Sequence, residues 1–210
     1  MTHGFIDSLA SIIIMLPAFL IGLTFHEFAH ALTATLLGDD TPRIMGRLTL
    51  NPIVHIDPLG FLFLILFRFG WAKPVTFNQK NFKHPRFYSI LTAIAGPFSN
   101  FLLALFFLYC IAYLPITLLP HAIAISLLQI LQAAAYINIM LGVFNLLPIP
   151  PLDGGHILTA FLVNKFPKVV FWLYQYSLLV LIGLFFLPQT RMLLTYLMFI
   201  AEKTLRMLVF

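Results

Sequence analysis

The sequence is poor in charge. Only 9% of its 210 residues are Asp, Glu, Lys or Arg, against roughly 25% in an ordinary soluble domain, while 61% are hydrophobic and Phe alone supplies 23 residues. A soluble fold of this length could not bury so much apolar surface and stay dissolved. A water-soluble globular domain is therefore excluded. Cysteine is nearly absent: Cys110 has no partner, which rules out a disulfide framework or a cysteine-rich metal knuckle within the chain. The opening residues "MTHGFIDSLAS" contain no Lys or Arg, so a cleaved signal peptide is not expected. The net charge of +5 is not accompanied by any nucleic-acid-binding motif. Basic loops on a multi-pass membrane protein account for it more simply.

What remains is a membrane path. A helical span needs about 20 apolar residues. Candidates run from about Leu9 to Leu37, from Tyr88 to Leu114, from His121 to Leu147 and from about Val169 to Leu187. The segment 190–210 carries Arg191, Glu202, Lys203 and Arg206, and suits an interfacial helix as well as a fifth span. The apolar piece Leu59 to Phe67 is too short to cross, so it is expected to be re-entrant, or extended and buried against protein. Alternation in "RIMGRLTLNP" predicts a small β-hairpin beside it. The expected fold is thus an all-α polytopic membrane protein of four to five transmembrane helices plus a small hairpin or re-entrant segment. We expect one domain over residues 1–210, with its core at about 9–187.

Orientation follows from the basic residues. Arg43, Arg47, Arg68, Lys73, Lys80, Lys83 and Arg86 lie between the first two spans, and Lys165 and Lys168 between the third and fourth. The turn "PITLLP" has none. The basic side is expected to face the cytoplasm.

Glutamate is the scarcest charge, represented by Glu27 and Glu202 alone. Glu27 sits in "LTFHEFAHAL", inside a run from Ser11 to Leu37 with no other charged residue. A carboxylate at membrane depth costs about 2.5–3.5 kcal/mol even on a lenient insertion scale. His26 and His30 flank it at i and i+4, one turn apart on one helix face, where both imidazoles can hold one Zn²⁺. Glu27 beside them is placed to take a proton from water at such a metal. Catalytic zinc has three protein ligands and an open position. The remaining acidic residues are Asp7, Asp39, Asp40, Asp57, Asp153 and Glu202. Asp153 lies in "FNLLPIPPLDGGHIL", where Pro148, Pro150 and Pro151 break the helix ending the third span. Such a break is tolerated where it lines a cavity. Asp153 there either turns inward to a metal or caps the next helix.

Taken in order, "HEFAH", "AGPFSN" and "NLLPIPPLDGG" resemble the site-2 protease family of intramembrane zinc metalloproteases, and "GRLTLNPIVHIDPLG" resembles its compact prokaryotic branch. The resemblance covers about Gly22 to Leu158. It implies one Zn²⁺ per chain held by His26, His30 and Asp153, with Glu27 as general base. It also implies that Asn100 of "GPFSN" assists at the scissile carbonyl, a residue that would otherwise read as a helix-packing amide. Neither a PDZ-like insertion nor a nucleotide-sensing CBS pair is expected. The implied function is hydrolysis of peptide bonds within transmembrane segments of single-span substrates, in the plasma membrane of a prokaryote, from a site toward the cytoplasmic side. A membrane metal-ion transporter, or a non-catalytic metal-binding membrane protein, is the alternative.

Other polar residues have plainer readings. His55 and Asp57 are expected in turn chemistry, with His55 solvated. His156 is expected to support the site or to start a helix rather than to ligate. Asn145 is expected to hold the broken backbone, and "GPF" at Gly96 to mark a kink or close helix approach. His3, His84 and His121 lie near membrane interfaces.

The charge count is open to direct test by labelling. A cysteine introduced at Gln79, with Cys110 removed, should react with an impermeant reagent only from the cytoplasmic side, and one at Thr117 only from outside. The reverse pattern would invert the topology.

Overall fold

The computed structural model describes residues 2–67 and 70–210. Arg68 and the side chains of His3 and Asp7 lie outside that description. In chain order the α-helices are α1 (Thr2–Leu36), α2 (Thr41–Ile44), α3 (Pro52–His55), α4 (Pro58–Phe67) and α5 (Pro85–Tyr113). They continue as α6 (His121–Asn145), α7 (Asp153–Leu162), α8 (Pro167–Gln175), α9 (Ser177–Phe186) and α10 (Pro188–Met207). Among the described residues, three stretches are long and apolar enough to cross a bilayer: Met15–Leu36 of α1, Pro85–Tyr113 and His121–Asn145. These match the first three spans expected from the sequence. The chain is a multi-pass membrane protein.

The three long helices pack on one another through small residues. Ala18 of α1 meets Ala134 and Ile137 of α6, and Ala104 of α5, fully buried, meets Ile139 and Val143. Hydrocarbon supplies no hydrophobic drive for helix pairing, so close approach over small side chains does the packing instead. α10 lies alongside α5 and α6, not across their ends. Its Leu197, Met198, Ala201 and Leu205 cover the Ala104 cluster, and Val209 is buried with Leu108 and Ala135. The Tyr113 hydroxyl donates to the Val209 carbonyl at 3.1 Å. On the other side of α10, Arg206 pairs with Glu202 at 2.9 Å, four residues apart.

Three sequence expectations change. The fourth span, Val169 to Leu187, is split at Tyr176 into α8 and α9, and neither piece can cross alone. The hairpin over "RIMGRLTLNP" is absent: no strand occurs among the described residues, and one antiparallel bridge, Ile56 to Ala72, is all that pairs there. Turn chemistry overrides the alternation, because Pro42 starts α2, Gly46 takes φ +68°, and the Asn51 side chain accepts from the Ile53 amide to begin α3. The short apolar piece is the ten-residue helix α4, and it is open rather than buried against protein. Leu59, Leu62, Ile65 and Leu66 are all well exposed within the chain. A helix apolar all round needs hydrocarbon or protein about it.

The polar connection from α1 to α5 is tied down by Asp39, which is fully buried. Its carboxylate accepts from the Thr41 hydroxyl at 2.6 Å, the Thr41 amide at 3.1 Å, the Asn78 amide at 2.6 Å and the Asn81 side-chain amide at 2.7 Å. Burial pushes the Asp39 carboxyl up, but these donors outweigh it and hold the group below its ordinary range. Its stabilising contribution is therefore present above the ordinary carboxyl pKa near 4 and is lost as pH falls through the lower folded value. Asp39→Ala should cost roughly 2–4 kcal/mol by orphaning several donors at once. Thermal unfolding in detergent at neutral pH reads this directly, and an unchanged transition would show that Asp39 does not anchor the connection.

Candidate metal centre

The helical spacing of "HEFAH" does what it predicts. His26 and His30 are buried on one face of α1, their ring centroids 4.6 Å apart at an interplanar angle of 85° and their Nε2 atoms 3.0 Å apart. Room for them comes from α5. A Cβ on Gly96 would overlap His30 Nε2 and His26 Cε1, so the close approach expected at "GPF" is an approach to the imidazoles themselves. The third group arrives from the proline-rich break. A Cβ on Gly154 or Gly155 would meet the backbone of Leu146, Leu147, Ile149 and Pro150. Without side chains there, the start of α7 folds tightly back on the end of α6. That turn carries the Asp153 carboxylate to 3.1 Å from His26 Nε2 and 3.3 Å from His30 Nε2.

Asp153 does not cap α7. Leu152, not Asp153, stands at the helix cap, and no side chain caps α7. Asp153 Oδ2 is buried with no hydrogen-bond partner. Both imidazoles are held from behind: His30 Nδ1 donates to the Thr92 carbonyl at 2.7 Å, and His26 Nδ1 pairs with Asn100 Oδ1 at 2.7 Å. Two imidazole nitrogens and the Asp153 carboxylate thus face one another. The two imidazoles meet different oxygens of the carboxylate. With one ligand atom taken from each residue the three atoms lie within 4.8 Å of one another, within the reach of one ion that holds its ligands at about 2.0–2.1 Å after small side-chain adjustment. The donor set fits a zinc ion.

Glu27 is next to this group and also buried. Its Oε2 accepts from the Val75 amide at 2.9 Å, so the non-helical stretch before Gln79 passes over the centre. Sequence reasoning gave no sign of Val75, because a backbone amide leaves no signature. Asn100 stands behind His26 rather than in front of it. The residue is fully buried, and its Nδ2 donates to the Gly22 carbonyl and to Asn138 Oδ1, each at 3.0 Å. Neither amide hydrogen is free for a scissile carbonyl. Asn138 was missed as well, although an amide in the middle of an apolar span is itself a signal.

The remaining residues fall away from the centre. His55 is fully buried, not solvated, with Nε2 2.9 Å from the Thr49 carbonyl. Asp57 accepts from the Gly60 amide at 2.8 Å in a turn, as expected. His156 lies one turn beyond Asp153, and its Nδ1 pairs with the Tyr174 hydroxyl at 3.0 Å. Asn145 donates to Leu141 of its own helix at 3.0 Å and does not brace the break.

Comparison with known proteins shows the family. The model described as peptidase family M50 matches residues 113–186, a stretch that includes Asp153. Rip2 of Mycolicibacterium smegmatis is 31% identical over 186 residues, covering 84% of this chain and 68% of its own. The chain belongs to peptidase family M50. YwhC of Bacillus subtilis is 43% identical over 141 residues, covering 66% of this chain and 64% of its own. The M50 chain thus spans just under two thirds of YwhC. Both relatives carry the words zinc metalloprotease in their names. No solved structure matches the chain.

Asp153→Asn tests the ligand set of this M50 chain. The neutral amide keeps the shape but loses the charge beside two imidazoles, so zinc content should fall well below one per chain while the helices stay folded. Stoichiometric zinc in that variant would remove Asp153 from the ligand set.

Proposed function

We propose that this M50 chain is an intramembrane zinc endopeptidase that cuts within transmembrane segments of single-span membrane proteins. The observation that carries the reading is the juxtaposition of the buried His26, His30 and Glu27 of apolar α1 with the half-buried Asp153 of α7. The relatives' names support a zinc metalloprotease over the transporter alternative.

His26, His30 and Asp153 would hold the metal, one per chain. When bound, zinc polarises a carbonyl and lowers the pKa of water toward 7. Glu27 accepts the proton at its carboxylate and returns it to the leaving amine. The Val75 amide orients that carboxylate through Oε2 and leaves the other oxygen for the proton. Buried α1, α5 and α7 surfaces exclude bulk water, which strengthens each electrostatic contact.

A substrate helix must unwind here, since an intact helix hides its amide bonds. The non-helical residues Ala72 to Asn78, which already reach Glu27, offer it a backbone to lie against. They replace the strand expected at "RIMGRLTL". His30 is about 9 Å along α1 from its end at Leu36, so the centre sits within the apolar zone and nearer the basic, cytoplasmic side.

Glu27→Gln separates base from scaffold. The amide preserves volume and both imidazoles, so zinc should remain bound while cleavage of a single-span substrate in detergent falls by roughly 10²–10⁴-fold. Full activity would remove Glu27 as base, and loss of zinc with activity would make it a structural support.

A further inference from the structure

The two imidazoles are held in place by different means. His30 Nδ1 faces the Thr92 carbonyl, which can only accept. Its Nδ1 must carry the hydrogen, and its Nε2 is bare for a metal. His26 Nδ1 faces a side-chain amide. An amide can turn either its oxygen or its NH₂ forward, and with the NH₂ forward His26 would need its hydrogen on Nε2. That tautomer cannot ligate. Something must hold Asn100 the right way round.

The geometry names it. Asn100 Nδ2 lies 3.0 Å from the Gly22 carbonyl and 3.0 Å from Asn138 Oδ1. Asn138 is in turn fixed by its own Nδ2, which donates at 2.9 Å to the Ala134 carbonyl one turn back on α6. Both asparagines are fully buried, so water cannot substitute for either partner. The order of donors runs one way only: Asn138 to Ala134, Asn100 to Asn138 and Gly22, His26 to Asn100. Flipping Asn138 would set two NH₂ groups against each other and orphan the Ala134 side, at the cost of an unmade buried hydrogen bond. Room for the amide is reserved on α1, where a Cβ on Gly22 would sit 2.8 Å from Asn138 Oδ1.

We propose that Asn138 is a positioning residue of the metal centre, acting through Asn100 to hold His26 in the tautomer whose bare Nε2 faces His30 and Asp153. The proposal rests on the metallopeptidase reading and adds a fourth helix to it. α6 contributes no ligand, yet it determines which nitrogen of a ligand on α1 is free. Partners of this kind behind metal-bound histidines are worth about 10–100-fold in metal affinity.

The test uses the full chain in detergent, with zinc affinity from chelator competition and the visible spectrum of the cobalt(II)-loaded protein. Asn138→Leu removes the acceptor at similar volume. It should weaken zinc by about 10–100-fold and shift the cobalt bands, with helicity by circular dichroism retained. Asn138→Asp is the rescue. Protonated in its apolar setting, the carboxyl can donate to Ala134 and accept from Asn100, so affinity and spectrum should stay within a few-fold of the parent. An Asn138→Leu protein with parental affinity and spectrum overturns the proposal. So does an Asn138→Asp protein that loses zinc, which decides the matter even if the leucine variant does not fold. His26→Ala keeps the two readings apart. If the parent binds no zinc, or His26→Ala binds as the parent does, the metal centre itself fails and the proposal with it. If His26→Ala loses zinc and Asn138→Leu does not, the proposal alone falls.

Discussion

Three acceptors aimed at one point in an apolar interior repel one another unless a cation stands between them. His26 Nε2, His30 Nε2 and the Asp153 carboxylate lie within 3.0–3.3 Å of each other, and the rest of the structure can be read as what that constraint requires. α1 must be long enough to carry the histidines below the surface. α5 must come close without a side chain, and the third span must break so that a carboxylate can turn back. None of these features is stabilising by itself. A glycine within a helix costs roughly 0.5–1 kcal/mol against alanine, and proline inside α5, at Pro97, forfeits a backbone hydrogen bond. Local rules of this kind are broken where function requires it.

Much of this was legible in the residues. The i,i+4 histidines around a rare glutamate, and the proline run ahead of Asp153, point to both halves of the cluster that the fold brings together, because residue spacing and helix breaking are local properties. The long spans were equally plain from apolar length. What the sequence concealed was side-chain direction. Asn100 reads as a group for the substrate, yet its amide is consumed behind His26, and no linear pattern distinguishes front from back. His55 sits in a turn full of prolines and looks solvated, but the connection folds over it.

The departures from the expected fold have a common physical cause. Apolar length predicts a span at Val169 to Leu187, where the helix is interrupted at Tyr176, and alternation predicts a strand at "RIMGRLTL", where none forms. Both patterns were overridden by local backbone preferences. Ser177 bonds the Tyr174 carbonyl at the break between α8 and α9, and Gly46 turns the chain where a strand would run straight. The last helix went the other way. Its charges hid an apolar side that packs along α5 and α6, since Glu202 and Arg206 neutralise each other on the opposite side.

Gly96 shows how little of such a site a motif search can see. The residue ligates nothing and lies 66 positions from His30 in the sequence, yet the volume of one methyl group there is the volume the imidazoles occupy. A homologous chain could keep every ligand and the glutamate, carry alanine at this position, and still be scored as an intact peptidase. Loss of function in such a chain would be written in an added carbon atom, on a helix that carries none of the ligands. Sorting active from inactive members by their ligands alone therefore overcounts the active ones.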